Sequence, residues 1–351
     1  MKDLSKVIDS VRGLEKGLSG AAKDFAALEF EPVQGGAFYE NSLVVSAPPD
    51  FAFTGKIAAV DGGIVSEEYQ SCELVLYRAV CSVFEYEKGK VVRSIHRPVG
   101  IDSNQWELRE AFDEFEAVQR NSIIRLKSEI DRAREAVELF NPSMVFLDGG
   151  IAPNPSDRPP KDSPTHTEFE VLLGSYRELY SSCKKNSTVL AGVVKDSKSR
   201  LFLEALARSK QLRDFYEEHK GFLARTNDSA FLTMALNLNQ RTSSIPLDRK
   251  DFPADFFPSS PVATYLKAVS GDRPIRLEFL DPSHAGEASK VICGLCKGNS
   301  RYAYPAILIE ADLRAALDWR ELEVAYAQLC SEVGIDAVSL RKLRRNDRPF
   351  R

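Results

Sequence analysis

Two aspartates are the residues of this sequence that could most clearly do chemistry. Asp61 lies in the phrase AAVDGG (residues 58–63), and Asp148 lies in VFLDGG (residues 145–150). Each phrase is typical of a short buried strand that ends in a glycine turn, because glycine readily adopts positive φ. The carboxylate then stands at a strand end, where α/β proteins place their functional groups. Two such carboxylates predict a site for a divalent cation.

The composition is that of a folded protein with a full core. The 351 residues are 43% hydrophobic and 28% charged, so one large domain or two smaller ones would fit. No apolar run approaches the roughly 18 residues that cross a bilayer, and the N-terminus does not resemble a signal peptide. We therefore expect a cytoplasmic protein with no membrane partner. The net charge of −4 argues against unspecific coating of nucleic acid but allows a local basic groove.

Cysteines and histidines give weaker signals. The six cysteines do not form the framework of a secreted domain. Cys293 and Cys296 form a CxxC pair, but a zinc ribbon needs a second pair, so we interpret the pair as part of a loop. None of the four histidines has a partner at ligand spacing, and His284 is interpreted as a turn residue. The sequence also lacks a GxxxxGK[ST] phosphate loop and a GxSxG nucleophile turn.

The order of the predicted elements defines a fold class. Hydrophobic periodicity and turn residues predict strands at residues 56–61, 73–86 and 91–99, a helix at 105–140, a strand at 145–150, a helix at 168–184 and a strand at 188–194. The first three strands have short links and therefore form an antiparallel meander. The order β-β-β-α-β-α-β is that of a ribonuclease-H-like α/β fold, a mixed sheet flanked by helices.

Other segments are predicted to be additions to this core. Residues 1–50 comprise an amphipathic helix at residues 3–28 and a linker, and the helix packs either on its own domain or on a partner. Residues 51–351 form the main domain, which contains a helical insertion at about 200–265. The remaining predicted elements are a proline-rich extended loop at residues 151–167, strand character at 275–280 and 306–309, and a last helix at about 310–333.

The long helix offers a third acid. Its apolar stripe consists of Ile123, Leu126, Ile130, Ala133, Val137 and Phe140. At about 100° per residue, Glu129 lies at the edge of this stripe, about 70° from its centre, whereas the other acids of this part of the helix lie about 110–170° away. Glu129 can therefore point along the sheet towards the strand ends. The alternative is that Glu129 is an edge residue paired with Arg125, four residues earlier.

Four phrases together resemble the NurA family of prokaryotic DNA-repair nucleases. They are AAVDGG, the helix RLKSEI followed by VFLDGG, GVVKDSKSR, and YAYPAILIEADLRA, in that order over residues 57–316. The resemblance implies a metal-dependent DNA nuclease with 5'-3' exonuclease and single-strand endonuclease activity. It also implies a homodimer that works with a HerA-type hexameric translocase in end resection at double-strand breaks.

The resemblance also implies roles for single residues. Asp61, Glu129 and Asp148 match the metal-binding acids of the family, and Tyr304 matches a site tyrosine. Asp312 stands where many relatives have a histidine. An aspartate is still a hard oxygen donor, so the site would consist of carboxylates and suit Mn²⁺ or Mg²⁺. We expect two ions, about 3.5–4 Å apart, as in other two-metal nucleases.

Basic and aromatic residues near these acids complete the expected site. Lys195 directly follows the strand at residues 188–194, where it either steadies a phosphate or is an ordinary surface lysine. Lys198 and Arg200 are predicted to contact the DNA backbone. Tyr304 either orients a phosphate, stacks on a base or belongs to the core. Two other functions stay open: a non-catalytic module that docks on a DNA motor, and a nuclease that acts chiefly on RNA.

Overall fold

The fold is known from a computed structural model that describes residues 2–31, 36–68, 72–98, 104–110, 114–247, 251–253 and 255–333. Its centre is a sheet of eleven strands. In chain order these are β1 (Val44–Ser46), β2 (Gly55–Glu68), β3 (Cys72–Glu87), β4 (Lys90–Arg97), β5 (Gln105–Glu110), β6 (Met144–Asp148), β7 (Val189–Val194), β8 (Gln240–Thr242), β9 (Ile245–Pro246), β10 (Val262–Lys267) and β11 (Ile275–Phe279).

Helices flank this sheet and connect its strands. They are α1 (Lys2–Ala26), α2 (Glu114–Phe140), α3 (His166–Asn186), α4 (Leu201–Arg208), α5 (Arg213–Glu218), α6 (Lys220–Leu223), α7 (Asp228–Ala235), α8 (Ala285–Leu295), α9 (Ala306–Ala315) and α10 (Trp319–Val333). In the part of the chain that the structure covers, no helix combines the length and the apolar character needed to span a bilayer.

The sheet is mixed, and its register brings the two Asp-Gly-Gly phrases side by side. The strand order is β1-β8-β10-β11-β7-β6-β2-β3-β4, with β5 paired to β3 and β9 to β10. The predicted antiparallel meander β2-β3-β4 is confirmed. Strands β2, β6 and β7 run parallel, with Val60 opposite Leu147 and Asp148 opposite Val193. Asp61 and Asp148 therefore come level on neighbouring strands.

Helical layers cover both faces of the sheet. Along β6, Val145 and Leu147 belong to an apolar core shared with α1, α2 and α3, which we call the α2 layer. Met144 and Phe146 belong to a second core shared with α8 and α9, which we call the α9 layer. Successive side chains of a strand point to opposite faces. Asp148, the next residue, therefore faces the α9 layer.

The N-terminal helix is confirmed, and its two halves have different surroundings. In the second half, Leu18 and Phe25 are buried in the α2 layer. In the first half, the apolar residues remain exposed. The helix therefore packs on its own protein at one end and leaves an apolar surface at the other. A domain boundary at residue 50 stays a prediction, since β1 already pairs with β8 in the main sheet.

The start of the predicted helix at residues 105–140 is wrong. Gln105–Glu110 form strand β5, and α2 begins at Glu114. The segment QWELRE contains no proline or glycine and so could extend a helical pattern, but its Leu108 pairs with Leu74 of β3. Pairing with a distant strand thus overrides the local pattern. Of the strand predicted at residues 91–99, the structure covers β4 to Arg97, and residue 99 lies outside the described residues.

The strand predicted at residues 306–309 is also wrong, because these residues begin helix α9. Pro305 (φ −61°) precedes the helix, and Ile307, Leu308 and Ala311 are buried at helical spacing. The four-residue apolar run was too short to distinguish a strand from a buried helical turn. The single helix predicted at about 310–333 is divided into α9 and α10.

Two further interpretations need correction. Cys293 lies in helix α8, and Cys296 follows it in a 3-10 turn; both are buried, so the CxxC pair is not in a loop. The insertion at about 200–265 contains helices α4–α7 as predicted, but it also supplies β8, β9 and β10 to the sheet. His284 lies in a 3-10 turn, as the sequence indicated.

The docking of α1 can be tested through Phe25, which is 2% exposed and lies edge-on to Phe202 and Phe231 at ring-centroid distances of 5.8 and 5.6 Å. Phe25→Ala should lower the free energy of unfolding by about 3–5 kcal/mol, because it leaves a cavity in the α2 layer. Leu4→Ala, on the exposed end of the same helix, should change it by less than about 0.5 kcal/mol. Urea denaturation measures both, and equal losses would contradict this placement of α1.

Candidate metal centre

Three aspartates from distant parts of the chain converge on one point. Asp61 comes from β2, Asp148 from the end of β6, and Asp312 from α9, and one oxygen of each lies within 4.8 Å of the others. The two strand residues face the α9 layer, and α9 lies directly over them. Three hard oxygen donors at this separation form a cradle that suits Mn²⁺ or Mg²⁺. The predicted approach of Asp61, Asp148 and Asp312 is thus present in the fold.

At the glycines after Asp148 the chain turns away from strand β6, as predicted, and it bends at residues 151–152. Gly149 has φ +128°, which side chains rarely adopt, and its N–H donates to the Val193 carbonyl at 3.0 Å. A Cβ on Gly150 would lie 2.8 Å from the Glu278 carboxylate, and a Cβ on Gly192 would lie 2.7 Å from the Gly149 carbonyl. Glycine at all three positions lets this turn lie against β7 and β11.

The glycines after Asp61 do not form a turn, contrary to the expectation. Strand β2 continues through them to Glu68, and Asp61 pairs with Val80 in mid-strand. A Cβ on Gly62 would lie 2.6 Å from Glu129 Oε1, and a Cβ on Gly63 would lie 2.1 Å from the Ala315 carbonyl. The glycine pair therefore makes room for a side chain on one face and for the end of α9 on the other.

Burial makes the ionisation of Asp61 unfavourable without a cation, whereas Asp148 is half-buried and Asp312 is exposed. Asp61 is 6% exposed. Its pKa is raised from 3.8 to about 7, first by desolvation and then by the Asp148 charge, with a smaller contribution from Asp312, although the N–H of Gly62 donates to it at 2.7 Å. Like charges held close in a poorly solvated site disfavour joint ionisation. A bound divalent cation would reverse this effect.

Glu129 lies beside the triad rather than in it. Its side chain is buried, touches the space over Gly62 and is ion-paired with Arg125. Burial raises its pKa to about 8, and the charges of Asp61 and Asp148 add to the rise, against Arg125. Glu129 therefore reaches the strand beside Asp61, as one interpretation of the sequence predicted, and pairs with Arg125, as the other predicted. Its role as a metal ligand stays a prediction.

Lys195 and Tyr304 stand next to Asp148. The Lys195 ammonium donates to Asp148 Oδ2 at 3.1 Å and lies 4.5 Å from the centre of the Tyr304 ring. Burial lowers and the Asp148 charge raises the pKa of Lys195, and the net shift is upward. Tyr304 is 2% exposed, and burial first and then the neighbouring Asp148 carboxylate raise the pKa of its hydroxyl. Its ring is thus enclosed, which favours an orienting role over stacking on a base.

Lys198 and Arg200, the other two residues predicted to contact DNA, differ in their surroundings. Lys198 is exposed. Arg200 donates to the Leu223 carbonyl at 2.9 Å and to the Thr226 carbonyl, so its guanidinium fastens the segment between α6 and α7. DNA contact by Lys198 and Arg200 stays a prediction, and the Arg200 bonds favour a structural role for that residue.

One buried ion pair behind the site was missed in the sequence. Glu278 is fully buried on β11; it accepts from Arg276 at 2.8 Å and from the N–H of Ile151 at 3.0 Å. It therefore anchors the chain just after the Asp148 turn. The signal was the phrase RLE within an apolar strand, which places two opposite charges on one face.

The parallel core strands, the meander and the clustered acids define a ribonuclease-H-like α/β protein with a candidate metal centre. The NurA domain model matches residues 55–317, and the chain belongs to the NurA family. The NurA nuclease from Sulfolobus solfataricus has the same fold, with 13% identity, a TM-score of 0.59, and coverage of 95% of this chain and 94% of that one.

Two further solved structures are more distant. A NurA structure with manganese is 11% identical, with a TM-score of 0.49 and coverage of 95% of this chain and 98% of that one. The catalytic domain of human endonuclease V is 13% identical, with a TM-score of 0.36 and coverage of 81% and 92%. No curated protein sequence matches the chain.

Asp61→Asn should stabilise the metal-free protein at pH 8 by about 1–3 kcal/mol, because it removes a buried charge. The folded pKa of about 7 lies above the ordinary 3.8, so the folded state holds the proton more tightly than the unfolded chain. The free energy of unfolding then falls as the pH rises through the interval between these values. The gain from Asp61→Asn should therefore be present at pH 8 and vanish below about pH 4.

Denaturant unfolding in the presence of a chelator measures this effect. Asp162→Asn, a matched change at an exposed position, should leave the pH dependence as it is. Destabilisation by Asp61→Asn at pH 8, or a gain of equal size at both pH values, would contradict the electrostatic account of the cluster.

Proposed function

We propose that this protein is a metal-dependent DNA nuclease that hydrolyses phosphodiester bonds. The observation that carries the proposal is the convergence of Asp61, Asp148 and Asp312 within 4.8 Å. Membership of the NurA family, which includes the NurA nuclease from Sulfolobus solfataricus, supports the same conclusion. The substrate, DNA, is taken from the family resemblance.

The charges and positions of the site residues suit the hydrolysis of a phosphodiester bond. Asp61, Asp148 and Asp312 would hold Mn²⁺ or Mg²⁺, and Glu129 would complete the set if a second ion binds. Such an ion would act as a Lewis acid that activates water and neutralises phosphate charge. Lys195 is fixed between Asp148 and the ring of Tyr304, so its ammonium adds a preorganised positive charge beside the phosphate. The exposed Lys198 adds affinity for the DNA backbone without sequence preference.

The cellular role is proposed from the family resemblance. It comprises 5'-3' exonuclease and single-strand endonuclease activity, in double-strand break end resection, as a homodimer and together with a HerA-type translocase. The structure offers one feature that suits a protein partner. Leu4, Val7, Ile8 and Val11 form an exposed apolar stripe on α1, with exposed fractions of 64, 57, 42 and 50%. Exposed apolar stripes of this kind mark protein interaction surfaces.

Asp61→Ala and Asp148→Ala should each lower metal-dependent cleavage of single-stranded DNA at least a thousandfold, because each removes an oxygen donor of the cradle. Digestion of end-labelled DNA with Mn²⁺, Mg²⁺ or a chelator measures this. Asp162→Ala, an exposed aspartate outside the site, should cleave like the unchanged protein.

The same assay separates the alternative functions. Absence of metal-dependent cleavage in the unchanged protein, with folding intact, would favour a non-catalytic module on a DNA motor. Faster cleavage of an RNA strand than of the DNA strand of equal sequence would favour an RNA nuclease. Equal activity of Asp61→Ala, Asp148→Ala and the unchanged protein would place the chemistry elsewhere.

The apolar stripe on α1 should contribute to self-association or to docking on the translocase. Deleting residues 1–28 is an unsuitable test, since Leu18 and Phe25 belong to the core. The double variant Val7→Glu with Val11→Glu keeps the core. It should either lower the mass in light scattering from that of a dimer to that of a monomer, or weaken the affinity for the translocase at least tenfold. Ser5→Glu with Ser10→Glu adds the same charge beside the stripe and should have little effect. Unchanged association in the first variant would dispose of the idea.

A further inference from the structure

A cavity of about 610 Å³ opens next to the candidate metal centre. Its wall includes Gly150, two residues after Asp148, and Val194, which precedes Lys195. Its volume lies within the range of about 300–1,000 Å³ that is usual for small-molecule sites. Neither the aspartate triad nor Lys195 lines it, so no group proposed to act on the phosphodiester faces this space; Lys198, proposed to contact the DNA backbone, lies in its wall.

The cavity and the triad lie on opposite faces of the same sheet edge. Val193 belongs to the α9 layer, so the next residue, Val194, faces the α2 layer, and Lys195 points back to the triad. Arg276 likewise alternates with Ile275 and Leu277 of the α9 layer and faces the α2 layer. A strand of nucleic acid that crosses this edge can place a phosphodiester at the aspartates and a neighbouring group in the cavity.

The chemistry of the wall suits a neutral ring better than a phosphate. The apolar part comes from Ala152, Val194, Leu201 and Leu247, and the polar part includes Asn154, Ser197 and Ser199. Among the described wall residues, the charges of Lys198 and Arg276 are balanced by Asp196 and Asp251, and Glu278 pairs with Arg276 at 2.8 Å. Apolar surfaces with a few placed hydrogen-bonding groups are what a nucleobase requires.

The polar groups of the wall are held in place by the protein. Ser197 is buried, and its hydroxyl accepts from Arg276 at 2.7 Å and from the N–H of Ser199 at 3.3 Å. Arg276 is fixed in turn by Glu278, which also holds Ile151. The wall is therefore formed before any ligand arrives, which lowers the cost of ordering on binding.

From these observations we propose that the cavity receives one nucleobase of the substrate strand, next to the phosphodiester held at the aspartates. The inference rests on the proposed nuclease function and adds a binding site to it. The base would enter past Asn154, which is exposed, and its edge would meet the hydroxyls of Ser197 and Ser199. The Ser197 hydroxyl already accepts two hydrogen bonds, so it would donate to the base. Every nucleobase carries acceptor atoms, so the site would accept more than one base.

The test uses single-stranded DNA in which one abasic nucleotide is moved stepwise along the strand. In the unchanged protein, an abasic nucleotide at one position next to the cleaved bond should raise KM roughly tenfold or more, since base contacts are lost there. Asn154→Trp places a ring in the cavity mouth and should raise KM for the intact strand to the abasic value. Leu201→Phe, which enlarges another side chain of the wall, should also raise KM for the intact strand and replaces Asn154→Trp if that variant folds poorly.

Two controls keep the outcomes distinct. Cleavage of the strand with the abasic nucleotide at that position, which has no base to place in the cavity, should have the same KM in Asn154→Trp as in the unchanged protein. Ser181→Trp, at an exposed position on α3, should change the KM of neither substrate, the intact or the abasic strand. A flat abasic scan, or a scan that Asn154→Trp leaves unchanged, overturns the nucleobase site while the nuclease stands. If the unchanged protein hydrolyses neither substrate, the nuclease function itself fails and the inference falls with it.

Discussion

The repulsion between three clustered carboxylates is the constraint on which this structure depends. Asp61, Asp148 and Asp312 are held within 4.8 Å by two parallel strands and a covering helix. Burial raises the pKa of Asp61 to about 7, so the fold keeps an arrangement that is unfavourable without a counter-charge. Such a site favours the binding of a cation, because the positive charge of the ion stabilises the ionised carboxylates that water solvates poorly there. Lys195 offsets part of the charge, because its ammonium donates to Asp148 and also interacts with the charge of Asp312.

The two Asp-Gly-Gly phrases look alike and perform different structural tasks. After Asp148, glycine supplies a positive φ and lets the turn lie against Gly192 and Glu278. After Asp61, the strand runs on, and the missing side chains admit Glu129 on one face and α9 on the other. Both tasks serve the same end, because they allow backbone and carboxylates to approach more closely than side chains would permit.

Much of this arrangement could be predicted because local hydrophobic periodicity and turn residues determine it. The meander, the long helix and the strand before Asp148 follow from periodicity and turn residues. The strand at Gln105–Glu110 and the helix after Pro305 could not be assigned in this way, since pairing with β3 and packing over the sheet decide them. Asp312 was identified through the family resemblance, because no spacing relates a helix to strands more than 160 residues away. The phrase RLE indicated that Arg276 and Glu278 share a face of their strand, but it could not indicate that Glu278 holds the distant segment after Asp148.

A crystal of the protein soaked in Mn²⁺, with anomalous diffraction recorded at the manganese edge, tests the central claim most directly. The account predicts an anomalous peak at coordination distance from oxygens of Asp61, Asp148 and Asp312. A second peak nearer to Glu129 would extend the set to two ions. Full occupancy of manganese elsewhere, with these three carboxylates uncoordinated, would contradict the account.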